Sequence, residues 1–220
     1  MQVTFEIPVD YESTSDPNVA KKWLEDLPDL FAADFEAAVK YSDEKIEHAK
    51  KEAKNEELTK KERIAFQQIA NATALGHPSH CMITHLSVAW SENSSKVIIV
   101  DSKEMLNIVL DFLTTTQKTQ IWHNYSYDGR LIRYFTGKDV INMQDTQIFA
   151  KTLLNHVEIF KANTRLKDLM GEYYGDWGID SDYFHVSQQY EPKVLKYAAT
   201  DSCATYKLWD LLCDFIKQNS

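Results

Sequence analysis

An apolar run broken by two acids constrains this chain more than any other stretch. Leu30-Phe31-Ala32-Ala33-Asp34-Phe35 is apolar almost throughout, and Asp34 and Glu36 interrupt it. Such a run reads as a strand covered on both faces, in the middle of an α/β sheet. Residues i and i+2 of a strand share a face, so Asp34 and Glu36 project together while Phe35 points into the core. Two ionised carboxylates at that range repel, and burial raises the cost. A divalent cation that prefers oxygen ligands, Mg²⁺ or Mn²⁺, removes the conflict. The alternative is a strand end whose acids face water.

Around this strand, helices and strands alternate. Asp16-Pro17 predicts a helix start, with Val19, Trp23 and Leu27 on one stripe and Pro28 as the stop. Residues 42 to 75 read as a helical hairpin. Ser42 with Asp43 and Glu44 opens its first helix, Thr59 and Glu62 form a capping box for the second, and Gly76 with Pro78 closes it. Its nearly balanced charge fits a solvated surface excursion, or alternatively a docking arm or substrate clamp. Strands at 83–90 and 96–101 flank the polar turn 91–95, followed by a helix over 103–116 and a short strand at 120–122. Helices are predicted over 126–135, 145–154, 164–173 and 192–217. The fold class is therefore α/β, a mixed sheet flanked by helices. The hairpin is an insertion after the first core strand, within one domain over residues 1–220.

Charge bears on the partner. With 33 Asp and Glu against 24 Lys and Arg, the net charge is −9, which argues against a broad phosphate-gripping face. The three cysteines, Cys81, Cys203 and Cys213, are too few and too scattered for a disulfide framework, which places the chain in a reducing, cytoplasmic compartment. No basic-then-apolar leader opens the sequence, and no apolar stretch approaches the roughly 20 residues that span a bilayer, so no membrane partner is expected.

Two further patterns carry chemistry. His123-Asn124-Tyr125-Ser126-Tyr127-Asp128 follows the short strand and opens a helix, so Asn124 and Asp128 stand at a strand-to-helix junction. Ordinary capping explains the same residues. In the last helix, Tyr197-Ala198-Ala199-Thr200-Asp201 puts Tyr197 and Asp201 on one face, with two alanines that permit close approach to the sheet. An acid in so apolar a stretch is costly unless paired or metal-bound. Each pattern alone is weak.

Together, in this order, they resemble the motif set of the DEDD superfamily of 3′–5′ exonucleases. Asp34 and Glu36 look like the first motif, Asn124-x-x-x-Asp128 the second and Tyr197-x-x-x-Asp201 the third, which is the spacing of the tyrosine (DEDDy) subclass. Asp145-Thr146-Gln147 and Thr164-Arg165-Leu166-Lys167-Asp168-Leu169 look like the corresponding segments of the proofreading domains of family A, phage-type DNA polymerases and of RNase D relatives. The resemblance implies an RNase H-like fold and two divalent metal ions, Mg²⁺ or Mn²⁺. Asp34 would bridge both ions, Glu36 and Asp201 would complete the inner site, Asp128 would hold the second, and Tyr197 would orient the attacking water. Nucleoside 5′-monophosphates would leave from a single-stranded DNA 3′ end, with proofreading beside a separate DNA polymerase or other replication protein as the setting. An RNase D-like exoribonuclease acting on RNA, or a non-catalytic adaptor on the same fold, are the alternatives. Asn124 and Tyr127 sit where relatives hold terminal nucleotides, and Arg165 and Lys167 would meet phosphates. Two bound ions would take the net charge from −9 to −5, so an acidic protein would still attract phosphate locally.

Two minor readings complete the set. His77, His80, Cys81 and His85 crowd one stretch and offer a zinc alternative, although their spacing is not that of a finger. The aromatic run Tyr173, Tyr174, Trp177, Tyr183 and Phe184 offers base stacking, with core packing favoured.

Overall fold

A computed structural model describes residues 6–73, 76–153, 164–178 and 186–219. Its six strands are β1 (Asp10–Thr14), β2 (Leu30–Val39), β3 (Cys81–Ala89), β4 (Ser94–Ile99), β5 (Thr119–Trp122) and β6 (Met143–Asp145). They form one sheet in the order β1-β4-β3-β2-β5-β6. The β2–β3 and β3–β4 pairs are antiparallel, and the β1–β4, β2–β5 and β5–β6 pairs are parallel. The expected mixed sheet is present, and β2 lies between β3 and β5 as the two-face burial of its sequence requires.

The described residues form eight α-helices: α1 (Pro17–Glu25), α2 (Asp43–Glu52), α3 (Lys60–Ala70), α4 (Lys103–Thr115), α5 (Tyr125–Thr136), α6 (Thr146–Leu153), α7 (Leu166–Tyr174) and α8 (Pro192–Asn219). The Asp16 carboxylate accepts from Asn18 N and Val19 N, and Pro17 fills the first turn of α1. Thr59 and Glu62 close a reciprocal capping box at the start of α3.

Strand periodicity sorts the core. Phe31, Ala33, Phe35 and Ala37 of β2 join one cluster with Leu24, Met105, Val109, Trp122 and Leu131, on the face covered by α1, α4 and α5. Ala32 joins a second cluster with Ala150, Met170, Cys203 and Leu208, on the face covered by α6, α7 and α8. Asp34 and Glu36 share the parity of Ala32, so they look toward α8. Phe35 packs against Trp122 with ring centroids 5.6 Å apart, in the core as expected.

Three departures from the sequence reading have physical reasons. β1, Asp-Tyr-Glu-Ser-Thr, is a polar edge strand held by parallel pairing to β4, and it has no apolar pattern to announce it. β6 is three residues long, too short for periodicity to register. Ser94 and Ser95, expected in a turn, belong to β4, where buried Ser95 Oγ donates to Val88 O and lies 2.9 Å from Ser202 Oγ of α8. Among the described residues, no helix is long and apolar enough to cross a membrane.

Candidate active site

The first acids are placed by β2 and aimed by its neighbour. Between the Glu36–His85 and Ala37–Ile83 pairs, β3 carries the extra residue Thr84, a bulge beside Glu36. Thr84 Oγ1 donates to Glu36 O at 3.1 Å, which ties the bulged backbone to the acid's own residue. α8 crosses this face and supplies Tyr197 and Asp201. Ala198 and Ala199 are fully buried against Val97 and Ile99, so their small side chains permit the close approach.

Carboxylate oxygens of Asp34, Glu36 and Asp201 lie within 4.8 Å of one another. Asp128, on the first turn of α5, is 2% exposed, and its carboxyl accepts from the backbone N–H groups of Asp128 and Phe35. Burial, first, and the neighbouring carboxylates, second, hold Asp34 well above the usual carboxylate range. Glu36 is raised for the same two reasons. Burial likewise raises Asp128 and Asp201, with Lys167, Trp177 and Tyr197 pulling Asp201 back down. Glu36 Oε1 and Asp128 Oδ1 are buried without a hydrogen-bond partner. An orphaned buried acceptor costs about 1–3 kcal/mol, and more when charged. All-oxygen ligands, clustered acids and orphaned acceptors fit a hard divalent cation such as Mg²⁺ or Mn²⁺.

Tyr197 closes one side of the cluster. Its hydroxyl accepts from Lys167 Nζ at 2.7 Å and is hydrogen-bonded to Asp201. Burial and the adjacent acids raise its pKa, so it is a neutral phenol at any working pH. Lys167 lines the cleft, lies 3.7 Å from Asp201 Oδ2 and holds its ammonium 4.4 Å from the Tyr197 ring centroid. Trp177, named from the sequence only within an aromatic run for base stacking or core packing, has a different role. It follows α7, and its Nε1 donates to Asp201 Oδ1 at 2.5 Å. An indole among aromatics, far along the chain from Asp201, carries no local signal of this bond.

The open side is a cleft of about 440 Å³ lined by Asp34, His123, Asn124, Gln147, Arg165, Lys167 and Asp201. Asn124 and Arg165 therefore border the acids. Asn124 takes a left-handed conformation (φ 60°), which asparagine tolerates better than most residues. Asp145 fixes this turn: its carboxylate accepts from Asn124 N, Tyr125 N, Gln147 N and Ile148 N. It thus caps α6 and clamps the start of α5. His123 donates through Nε2 to Thr164 O, and burial lowers its pKa to about 4, so it is a neutral fixture of the wall.

Tyr127 differs from the expectation. It is half-buried against the core beneath Arg130, 5.2 Å from its ring centroid, and is not among the residues lining the cleft. Asn124 is the left-handed residue that precedes α5, so helical spacing does not carry its direction on to Tyr127, which packs against the core cluster. The zinc alternative does not assemble. His85 Nε2 donates to Gln189 O, Cys81 Sγ donates to Thr73 O, and His80 Nδ1 pairs with the Tyr41 hydroxyl. In the aromatic run, Tyr174 is buried and donates to Glu92 O, whereas Tyr183 and Phe184 lie outside the described residues.

No family model matches the sequence, and no curated protein matches it. Solved structures do match. NrnC from Brucella melitensis, with bound Mg²⁺, superposes with a TM-score of 0.56 at 14% identity, over 98% of this chain and 84% of that one. The catalytic core of RRP6 from Trypanosoma brucei gives 0.59 at 11%, over 97% and 52%. Escherichia coli RNase D, an exoribonuclease involved in structured RNA processing, gives 0.58 at 13%, over 96% and 46%. The chain thus spans about half the length of the last two. At such identities the shared property is the fold, a mixed sheet flanked by helices of the RNase H-like α/β kind.

Proposed function

We propose that the protein is a metal-dependent 3′–5′ exonuclease that releases nucleoside 5′-monophosphates from single-stranded 3′ ends. The observation that carries this reading is the trio Asp34, Glu36 and Asp201, with ligand oxygens within 4.8 Å of one another and orphaned acceptors beside a neutral tyrosine. Asp34, Glu36 and Asp201 would hold one divalent ion, with Asp34 shared and Asp128 holding a second. When bound, two such ions supply positive charge to the attacking and leaving oxygens of a phosphodiester. Tyr197, neutral and anchored by Lys167, positions the attacking water through its hydroxyl rather than taking its proton. Trp177 and Lys167 fix the Asp201 carboxylate from two directions. Asn124 and Arg165 line the cleft where a terminal nucleotide and its phosphate would sit.

Fold likeness to RNase D, named as an exoribonuclease, moves RNA to the front of the substrates to test. DNA proofreading is the second reading: residues 145–147 and 164–169 look like segments of family A proofreading domains and of RNase D relatives alike, so the motifs do not separate the two. A protein read this way acts in the cytoplasm, alone or beside a polymerase. Matched RNA and DNA strands ending in A, C or G, labelled at the 5′ end and incubated with Mg²⁺ or Mn²⁺, decide between them, because the 2′-OH is then the chemical difference at the 3′ end. A ladder shortened from the 3′ end is expected, abolished by Asp201→Asn. Absence of shortening on both strands with either metal overturns the exonuclease reading.

A further inference from the structure

Beyond the cleft, α5 and the end of β2 lead to a cationic, aromatic surface that the proposed hydrolysis does not use. Arg130 and Tyr134, at i and i+4, share a stripe of α5. On this stripe the Tyr134 ring, 51% exposed, meets His77 with centroids 6.2 Å apart. His77 in turn meets His80 at 6.1 Å, and His80 meets Tyr41 at 5.7 Å, with the Tyr41 hydroxyl 2.8 Å from His80 Nδ1. Lys40 and Lys45 hold their ammonium groups 5.3 and 5.0 Å from the Tyr41 ring centroid. The surface is continuous with β2, because Lys40 N donates to His80 O immediately beyond the strand that carries Asp34 and Glu36. Five residues of extended chain separate Glu36 from Tyr41, about 16 Å.

Charge identifies the occupant. Lys40, Lys45 and the nearby Arg130 gather cations at this end of β2, beside Asp43 and Glu44 of the first turn of α2, on a protein of net charge −9. Burial, ahead of the Lys40 and His77 charges, lowers the pKa of His80, which leaves a neutral ring to stack. Exposed cations among exposed (His77, Tyr134) and half-buried (Tyr41, His80) rings form the kind of surface that a single nucleic-acid strand recognises: phosphates meet ammonium groups, and bases stack on ring faces. We propose that the patch formed by Lys40, Tyr41, Lys45, His77, His80 and Tyr134 binds the single strand upstream of the 3′ end held in the cleft. This rests on the exonuclease reading for its choice of strand. The base of the 42–75 excursion thereby becomes part of the substrate path, and strand length becomes a determinant of affinity.

The test compares wild type with Lys40→Glu/Lys45→Glu and with Tyr134→Ala, all exposed positions. Binding of a 5′-fluorescent strand of about twelve nucleotides is read by anisotropy in Ca²⁺ across a salt series, and hydrolysis of that strand and of a dinucleotide is read in Mg²⁺. The double variant is expected to bind the long strand about tenfold more weakly, with a salt slope smaller by about 1.4, and to hydrolyse the dinucleotide at the wild-type rate. Tyr134→Ala is expected to weaken the long strand severalfold without changing the slope. Unchanged long-strand binding, or an equal loss on dinucleotide and long strand, overturns the proposal. Equally tight binding of polyglutamate, or no wild-type binding of the strand, does the same. If wild type binds the strand but hydrolyses neither substrate, the exonuclease reading fails while the patch is still judged by the binding loss in the variants.

Discussion

The cleft and the 42–75 hairpin are built on opposite terms. Around the cleft, Glu36, Asp128 and Asp201 are each less than a tenth exposed, and helices and strands from the whole chain converge on them. In the hairpin, Ala49 is the buried residue of α2 and none is buried in α3, while Ile64 is 51% exposed. Its helices depend on local devices: the Ser42 cap, the Thr59–Glu62 box and the Lys50–Glu47 pair. Tertiary packing holds the cleft in a conformation that its like charges oppose. The hairpin carries no such conflict and has little packing to lose. Function that stores electrostatic tension needs a body that can hold it, whereas a surface that touches a strand needs only reach.

The sharpest way to break this contrast is to relieve the tension. Glu36→Gln is expected to lower hydrolysis by about 10³-fold or more, since it removes a metal ligand. The same change is expected to raise the melting temperature in EDTA, by about 2–4 °C for each kcal/mol of repulsion and desolvation removed. A fall in melting temperature would show that the acids are not in conflict. Asp145→Ala acts oppositely: four donors lose their acceptor, and a loss of about 3 kcal/mol is expected by denaturant titration.

pH probes the same tension without mutation. The folded-state pKa values of Asp34, Glu36 and Asp128 are raised above their unfolded values. Their contribution to stability is therefore fully present below the ordinary carboxylate range and is lost as pH rises through the raised values. In EDTA the melting temperature is expected to fall over that window, and excess Mg²⁺ is expected to flatten the fall, since the metal binds the deprotonated form. Trp177→Phe is a smaller change. It keeps the ring but removes the donor to Asp201, with an expected loss of about tenfold in activity and a shift of the acidic limb of the pH–rate profile upward. The smallest effect belongs to the hairpin. Val39 pairs with Cys81, so a short turn can replace residues 42–75, and the body is expected to keep its melting temperature within a few degrees and its dinucleotide rate. Collapse of the body would show that the excursion is part of the core.

What the sequence made legible was periodic. Asp34 and Glu36 lie two apart on a strand, Asn124 and Asp128 at a strand-to-helix junction, Tyr197 and Asp201 four apart on a helix, and each spacing has a fixed geometric meaning. The hairpin was legible because its caps are local. Trp177 was not, because the chain must leave α7 and return before its indole meets Asp201. The Thr84 bulge was not, because register is a property of two strands. Lys167 was placed beside the cleft, but its partner Tyr197 lies thirty positions away in the chain. β1 was not seen because its pairing uses only backbone groups.

Asp145 has a consequence for how such a chain can change over generations. One carboxylate serves the starts of two helices, and the first of those starts holds Asn124 at the cleft. A substitution there disturbs both helices at once, so no single neighbouring change restores what was lost. The position is expected to be crossed only by paired replacements, and a library randomised at 145 alone is expected to return aspartate.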